Sequence, residues 1–371
     1  MRILHVDPAT TWRGGERQVF LLARELVRRG HECCVAAAKD APLAVECARA
    51  GLRVEPIAIR GDLDLVAVSR LAQSIRRERP DVLHLHTARA HAAGGLAARL
   101  TRFHPVVVTR RVELPVRGPF SRWKYHTLAD HFIAISGEVQ RTLERAGIPP
   151  EHITRIPSGI EIPPPPSPTA AGGLPAPGSK GARRTVGTLA AFTKQKDPST
   201  WISTAILVCR QRPDVDFLWL GEGPFRRTLQ EIVLGENLGT QIQLPGFQQD
   251  LTEFWRRIDV FFLPSRFEAL GTSMLDALAR EIPVVASEVG GIPEVVRQGR
   301  EGILVRPRDA EGFVHAITSL LDDPERARAL GKAGRERALE FEIGPLAARI
   351  EALYEALVRA TPRGRGEAFA G

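Results

Sequence analysis

The sequence is poor in sulfur and in long apolar stretches, and each shortage removes a class of protein. Four cysteines, Cys33, Cys34, Cys47 and Cys209, stand at spacings that fit no metal site, and three lie in apolar surroundings. Reduced, buried thiols are therefore expected. No apolar run approaches the roughly 18 residues of a membrane span. Met1-Arg2-Ile3-Leu4-His5-Val6-Asp7 reads as a short buried strand without the apolar region or cleavage site of an export signal, which argues for a cytoplasmic place. The Gly-x-Gly-x-x-Gly turn of dinucleotide-binding dehydrogenases is missing after that strand, which argues against NAD. No Asp-x-Asp pair or other carboxylate cluster stands at the strand ends Leu189 or Leu263 to hold a divalent ion against a diphosphate, so neither a divalent metal nor a cofactor is expected. Basic residues are spread over helical segments without a nucleic-acid reading module, so no nucleic-acid partner is expected.

What is present fits a globular protein of two cores. The 371 residues are 43% hydrophobic and 25% charged, and the length suits two domains of about 150 residues each. The net charge of +8 divides unevenly, with 25 Lys and Arg against 16 Asp and Glu in residues 1–160 and 26 against 27 in the remainder. A basic first half suits an acidic substrate, nucleic acid or an anionic membrane, and charge alone does not choose among them.

Short β-rich runs alternate with helical patterns at Ile3 to Val6, Cys33 to Ala38, Val54 to Ile59, Val82 to His86, Val106 to Thr109 and Phe132 to Ile135. This alternation predicts a parallel sheet. In the first helix Val19, Phe20, Leu22, Ala23, Leu26 and Val27 share a face, and Gly30 supplies a stop. Seven prolines between Pro163 and Pro177, with glycines at 172, 173, 178 and 181, have the chemistry of a linker. The plan then repeats at Thr185 to Leu189, Val215 to Leu220, Gln241 to Leu244, Val260 to Leu263, Val284 to Ala286 and Ile303 to Val305. The expected organisation is a first domain over 1–162, a linker over 163–182 and a second domain over 183–345. A helix over 346–361 returns to the first domain, and 362–371 form a frayed tail.

Ligands of open parallel sheets bind beyond the carboxyl ends of the strands, so the strand-to-helix loops hold the candidate residues. Gly14-Gly15-Glu16 lets backbone approach a ligand, or makes a tight turn with none. Lys196, in the loop after Gly187-Thr188-Leu189, can neutralise a diphosphate or be a solvated charge. Gly221-Glu222-Gly223-Pro224 leaves room for a flat base or ribose, or is an ordinary turn. The run Leu263-Pro264-Ser265-Arg266-Phe267-Glu268-Ala269-Leu270-Gly271-Thr272 ends a strand and opens a helix. Its first-turn N–H groups favour a phosphate by about 0.3 to 2 kcal/mol. There Glu268 can accept from sugar hydroxyls, and Asp276, one turn on, can reach a ribose; either acid also fits a structural role.

In their order along residues 1 to 345, the Gly-Gly-x-Glu start, the lysine loop, Gly-Glu-Gly-Pro, the acidic run from Glu268 to Asp276 and Gly290-Gly291-Ile292-Pro293-Glu294 resemble family 4 of the retaining glycosyltransferases. The resemblance implies an α/β protein of the GT-B fold, with two Rossmann-like doubly wound parallel-sheet domains facing across a cleft. It implies an acceptor on the first domain and a nucleotide-sugar substrate on the second. Lys196 would meet the donor diphosphate and Glu268 the sugar hydroxyls, with the Ala269, Leu270, Gly271 and Thr272 backbone against sugar and phosphate and Asp276 on the ribose. The chain has Asp276 where the family usually has Glu, and Thr188 where many members have Arg, leaving Lys194 or Arg266 to supply a second positive charge. Arg111 stands where many members have His. His86 and His91 sit near the acceptor side, or are ordinary hydrogen-bonded histidines.

The implied activity is retaining, metal-independent transfer of a sugar to a lipid-linked saccharide or cell-envelope polysaccharide intermediate. A nucleotide-sugar 2-epimerase and a catalytically silent relative that binds the same donor are the alternatives. The window Arg99 to Tyr125 carries Arg99, Arg102, Arg110, Arg111, Arg117, Arg122 and Lys124 against Glu113 alone, interleaved with Phe120, Trp123 and Tyr125. It suggests peripheral attachment to an anionic membrane on the inner face of the cell.

Overall fold

The computed structural model describes residues 1–165 and 183–361. Most of the proposed linker, residues 166–182, and the proposed frayed tail, 362–371, lie outside the described residues. The chain divides into two compact units, one formed by residues 1–159 with those from 343 onward, the other by residues 160–342.

The first unit alternates strands and helices: β1 (Arg2–Asp7), α1 (Gly14–Arg28), β2 (Glu32–Ala37), α2 (Pro42–Arg49), β3 (Arg53–Pro56), α3 (Leu65–Glu78), β4 (Val82–Leu85), α4 (Ala88–Thr101), β5 (Val106–Arg110), α5 (Pro119–Thr127), β6 (His131–Ala134), α6 (Gly137–Arg145) and β7 (Ile153–Arg155). The sheet order is β3-β2-β1-β4-β5-β6-β7, parallel throughout. The chain winds outward from β1 to β3, recrosses, and winds outward again from β4. The loops leaving β1 and β4 therefore diverge, and a crevice opens at the carboxyl edge between them. Continuous apolar runs such as Val106-Val107-Val108 are what a sheet covered on both faces requires.

Three details differ from the sequence reading. The apolar run after Arg53 leaves the sheet at Pro56, and β7 is a three-residue edge strand too short to show a period. On α1, Val27 is 41% exposed while Leu21 is buried, because this helix packs on α2 and on a distant C-terminal helix as well as on the sheet. Its buried Gln18 clasps Gly159, donating to the carbonyl at 2.6 Å and accepting from the N–H at 2.8 Å.

The second unit comprises β8 (Arg184–Leu189), α7 (Pro198–Gln211), β9 (Val215–Leu220), α8 (Arg226–Gly235), β10 (Ile242–Gly246), α9 (Thr252–Arg257), β11 (Val260–Leu263), α10 (Thr272–Leu278), β12 (Val284–Ser287), β13 (Gly302–Val305), α11 (Ala310–Asp322) and α12 (Pro324–Leu339). Its parallel sheet runs β10-β9-β8-β11-β12-β13, with the switch point between β8 and β11. Trp201, Phe217, Trp219, Phe262 and Phe313 fill its core. The last helix, α13 (Ile343–Ala360), belongs to the first unit, where it packs on α1. All four cysteines are buried and unpaired, and burial pushes the thiols of Cys33, Cys47 and Cys209 up to about 12.

Candidate functional site

In the second unit the two loops that diverge at the β8/β11 switch point are tied to each other by side chains. Lys196 Nζ, from the loop after β8, donates to Glu268 Oε2, from the loop after β11. Ser265 Oγ donates to the same carboxylate oxygen at 3.2 Å, and the Glu268 carbonyl accepts from Gly291 N at 2.8 Å, joining the loop after β12. Gln195 Nε2 donates to Phe267 O at 3.0 Å, and Arg266 donates to Asp197 at 2.8 Å. Asp197 is fully buried and caps α7, accepting from the Thr200 hydroxyl at 2.8 Å. The result is a paired cation and carboxylate, both mostly buried, at the position where doubly wound sheets bind ligands.

Beside the pair, Ala269 and Leu270 are buried, and Gly271 takes φ +85 to start α10. A side chain at Gly271 would meet Glu268 Cγ at 3.4 Å, so this turn holds the backbone against the carboxylate stem. Among the described residues, nothing accepts from the N–H groups of Thr272 and Ser273. Asp276 is buried one turn on, with Arg280 within 4.0 Å.

Several expected roles meet a different arrangement. The Thr188 hydroxyl is already occupied, donating to Phe262 O and accepting from Trp201 Nε1, each at 2.7 Å. Thr188 is a buried brace between β8, β11 and α7, so it is corrected from donor contact to packing. At Gly221 and Gly223 the missing side chains make room for the protein's own main chain. A Cβ on Gly221 would lie 2.0 Å from Ala190 O, and one on Gly223 would lie 2.5 Å from Phe192 O, so chain already fills both spaces. Exposed Glu222 accepts from Arg226 and from Phe247 N, both at 3.2 Å. Lys194 is exposed, and Arg266 is held by Asp197. Asp197, Ser265 and Gln195 were not read as site residues, although Asp197-Pro198 carries the cap-then-proline signature of a helix start.

The first unit has its own cluster at the β1/β4 switch point. Glu16 is buried and closes a capping box, accepting from Arg13 N at 2.6 Å, so the Gly14-Gly15 turn is a helix start with its acid already engaged. His86 lies just past β4, and its Nε2 is 3.0 Å from Nδ1 of His5. Its Nδ1 accepts from Arg111 at 3.2 Å, and its carbonyl accepts from the same guanidinium at 3.3 Å. His84 bonds Thr109 Oγ1 at 2.6 Å and the Tyr354 hydroxyl at 2.5 Å. Burial above all, then neighbouring charge, lowers His5 to about 3 and holds His84 and His86 well below the usual histidine range. Burial raises the Asp7 carboxyl to about 6. His91 instead packs against the Tyr125 and Phe132 rings, with centroids 4.8 and 5.8 Å away, and is lowered to about 3 by burial.

His5, His84 and Asp7 escaped the sequence reading. His84-x-His86 on a strand was the available signal, since residues two apart share a face. Nitrogens of the three histidines lie within 4.8 Å of one another, a spacing a metal ion could bridge. The proton between His5 and His86, the two partners of His84 and the adjacent Arg111 cation all oppose that use.

The membrane window divides on inspection. Lys124 is buried and donates to Ala88 O at 3.2 Å, and Tyr125 stacks on Phe132. Arg110 is buried and donates to the Tyr125 hydroxyl. Arg99 and Arg102 end α4 and thus lie near the amino edge of the sheet, whereas exposed Arg117 and Arg122 follow β5 at the carboxyl edge. The seven basic residues do not form one surface. Among the described residues, no helix is long and apolar enough to cross a membrane.

Residues 12–162 match Glycosyltransferase Family 4, and residues 175–337 match Glycosyl transferases group 1. The two matches follow one another along most of the chain, and the chain belongs to the family 4 glycosyltransferases. It is 31% identical over 186 residues, 48% of its length, to the lipopolysaccharide core biosynthesis mannosyltransferase LpsB of Rhizobium meliloti, of which the match spans about half, 53%. It is 27% identical to the D-inositol 3-phosphate glycosyltransferase of Thermobispora bispora over 95% of this chain and 93% of that one. The chain spans less than half of other curated relatives, such as 42% of the putative glycosyltransferase EpsD of Bacillus subtilis. In fold it is similar to HepE of Anabaena solved with UDP and glucose, with a TM-score of 0.82 and 19% identity over 96% of this chain and all of that one. The fold is GT-B.

Proposed function

We propose that the chain is a retaining glycosyltransferase that moves a sugar from a nucleotide-sugar donor, held by the second unit, to a lipid-linked saccharide or cell-envelope polysaccharide intermediate. The observation that carries this reading is the Lys196–Glu268 pair joining the two switch-point loops. A partly desolvated cation and carboxylate neutralise each other until a ligand offers both an anion and hydroxyl donors, which is what a sugar diphosphate presents. Lys196 then meets the diphosphate, helped by exposed Lys194 and by the N–H groups that open α10, while Glu268 accepts from the sugar hydroxyls and Asp276 faces the ribose. The relatives named for lipopolysaccharide mannosyl transfer and for binding UDP and glucose support the donor class and the envelope setting.

Transfer with retention needs few protein groups. The bond from the sugar's anomeric carbon to the diphosphate oxygen breaks as the acceptor oxygen attacks on the same face. The acceptor's proton passes to the departing phosphate oxygen. Orientation and stabilisation of the leaving charge are the protein's part.

Nucleotide release from a panel of nucleotide sugars, with and without saccharide acceptors, tests the activity. Release that requires acceptor is expected. Isomerised donor without acceptor would identify an epimerase, and binding without either would identify a silent relative. Turnover is expected to persist in EDTA, because Lys196 and helix N–H groups occupy the place of a metal. A loss in EDTA that Mn²⁺ or Mg²⁺ restores would contradict that mechanism.

The acceptor class also implies a membrane surface. Leu63, Leu65 and Val66 are 67%, 73% and 63% exposed at the start of α3, and Trp123 is 42% exposed on α5. Asp62 lies 3.9 Å from Lys124, bringing that loop to α5, which also carries exposed Arg122. Weak, salt-sensitive attachment to anionic lipid follows, at about 1 kcal/mol per basic residue. Wild type is expected to sediment with anionic vesicles at low salt, and a Leu65→Ser/Val66→Ser/Arg122→Ser variant to remain in solution. Wild type in the supernatant at low salt, or equal pelleting of both, would remove the membrane from the account.

A further inference from the structure

The most unusual charge in the described residues is Arg111. Its guanidinium bonds only His86, through the carbonyl and Nδ1, and its Nε is buried with no partner. Asp7 and Glu16 face it, but among the described residues no carboxylate forms an ion pair with it, and each acid already accepts from a backbone N–H, Asp7 from Ala9 at 3.0 Å and Glu16 from Arg13 at 2.6 Å. A half-buried guanidinium without an ion-pair partner has lost part of its hydration uncompensated, and a planar fork with free N–H groups is the geometry that oxyanions fit.

The histidines fix which way this fork is held. An arginine can only donate, so His86 Nδ1 is an acceptor and the ring proton of neutral His86 sits on Nε2. That proton points to His5 Nδ1, which places the His5 proton on its own Nε2, a buried atom with no partner. Protonating either ring would put a second cation against Arg111, and burial holds both rings neutral. The His5–His86 pair therefore has one proton arrangement, and in it the His86 acceptor always faces Arg111. His84, braced by Thr109 and Tyr354, packs against His86 with ring centroids 3.9 Å apart and keeps the ring in place.

We propose that Arg111, positioned by the His5–His86 pair, is an oxyanion-binding residue of the first unit, and that the acceptor carries a phosphate or carboxylate there. Naming the acceptor as its owner rests on the function proposed above; the binding does not, and is tested without turnover.

The test is calorimetric titration of the whole chain with sulfate and, separately, acetate, at constant ionic strength, with thermal melts to confirm folding. Because Lys196 also attracts anions, Lys196→Ala is the reference background. There, Arg111→Ala is expected to weaken oxyanion binding at least about tenfold, the loss of a charge-assisted bidentate contact. Arg111→Lys, which keeps charge and loses the fork, is expected to fall between. His86→Leu removes the acceptor and is expected to weaken binding several-fold, while His86→Asn, which returns an acceptor near Nδ1, restores most of it. Preference for sulfate over acetate assigns a phosphate to the acceptor, and the reverse assigns a carboxylate. Binding unchanged by Arg111→Ala, or no binding once Lys196 is removed, overturns the site while leaving the donor reading intact. Equal binding by His86→Leu and wild type overturns the positioning role. Should no nucleotide sugar be turned over while Arg111-dependent binding persists, the assignment to an acceptor falls and the anion site remains.

Discussion

Glu268→Gln and Lys196→Ala are each expected to lower sugar transfer at least tenfold, about 1.4 kcal/mol of barrier. Glu268→Gln keeps the shape and replaces an oxygen acceptor by an amide donor, so it presents N–H to sugar hydroxyls that need an acceptor. Its effect should fall on turnover and on the distinction between nucleotide sugar and bare nucleotide. Lys196→Ala removes a cation from the leaving diphosphate and also leaves Glu268 buried without its partner. Some thermal destabilisation is therefore expected with that variant, and less with Glu268→Gln, which leaves Lys196 without a counter-charge but keeps an amide oxygen that can accept from it. Rates measured well below each variant's melting temperature separate the two effects. Unchanged turnover in either folded variant would mean that the reaction occurs elsewhere.

Gly221→Ala is expected to destabilise the second unit by about 3 kcal/mol, lowering its melting temperature by roughly 6 to 12 °C. The added methyl would lie 2.0 Å from the Ala190 carbonyl oxygen, and φ at this residue is +146. The obstacle is main chain, not a flexible side chain that could swing away. Ala190 N also donates to Leu220 O at 3.1 Å, so relief would break a bond that folds the lysine loop over β9. If the glycine served instead to admit a base or ribose, the variant would melt like wild type and lose nucleotide affinity. Thermal melts with and without nucleoside diphosphate distinguish the outcomes.

The strands were legible because burial on both faces of a parallel sheet imposes continuous apolar runs, as in Val260 to Leu263, and a helix start was legible at Gly271-Thr272. What was hidden depended on register and on contacts distant in sequence. Thr188 looked like a missing charge, and only its distances to Phe262 O and Trp201 Nε1 show a brace. The histidine cluster needed the pairing of His5 with His84 across β1 and β4, and its support from Tyr354 comes from 270 residues further along. Gly221 and Gly223 stand out in the sequence as a pair at a strand end, and a Cβ on either would meet main chain. Composition gives no means of telling whether the space beside a glycine holds a ligand or the protein's own backbone. The basic window failed for a related reason, since counting charges along a segment ignores that the end of α4 and the start of α5 lie at opposite edges of the sheet.

The central claim is that Lys196 and Glu268 hold the nucleotide sugar, and calorimetric titration of wild type and the two variants with a nucleoside diphosphate and its sugar derivative tests it most directly. The account predicts that Lys196→Ala weakens both ligands at least about tenfold, while Glu268→Gln weakens the sugar derivative and leaves the bare diphosphate near wild type. Equal affinity of wild type and both variants for the sugar derivative would contradict it.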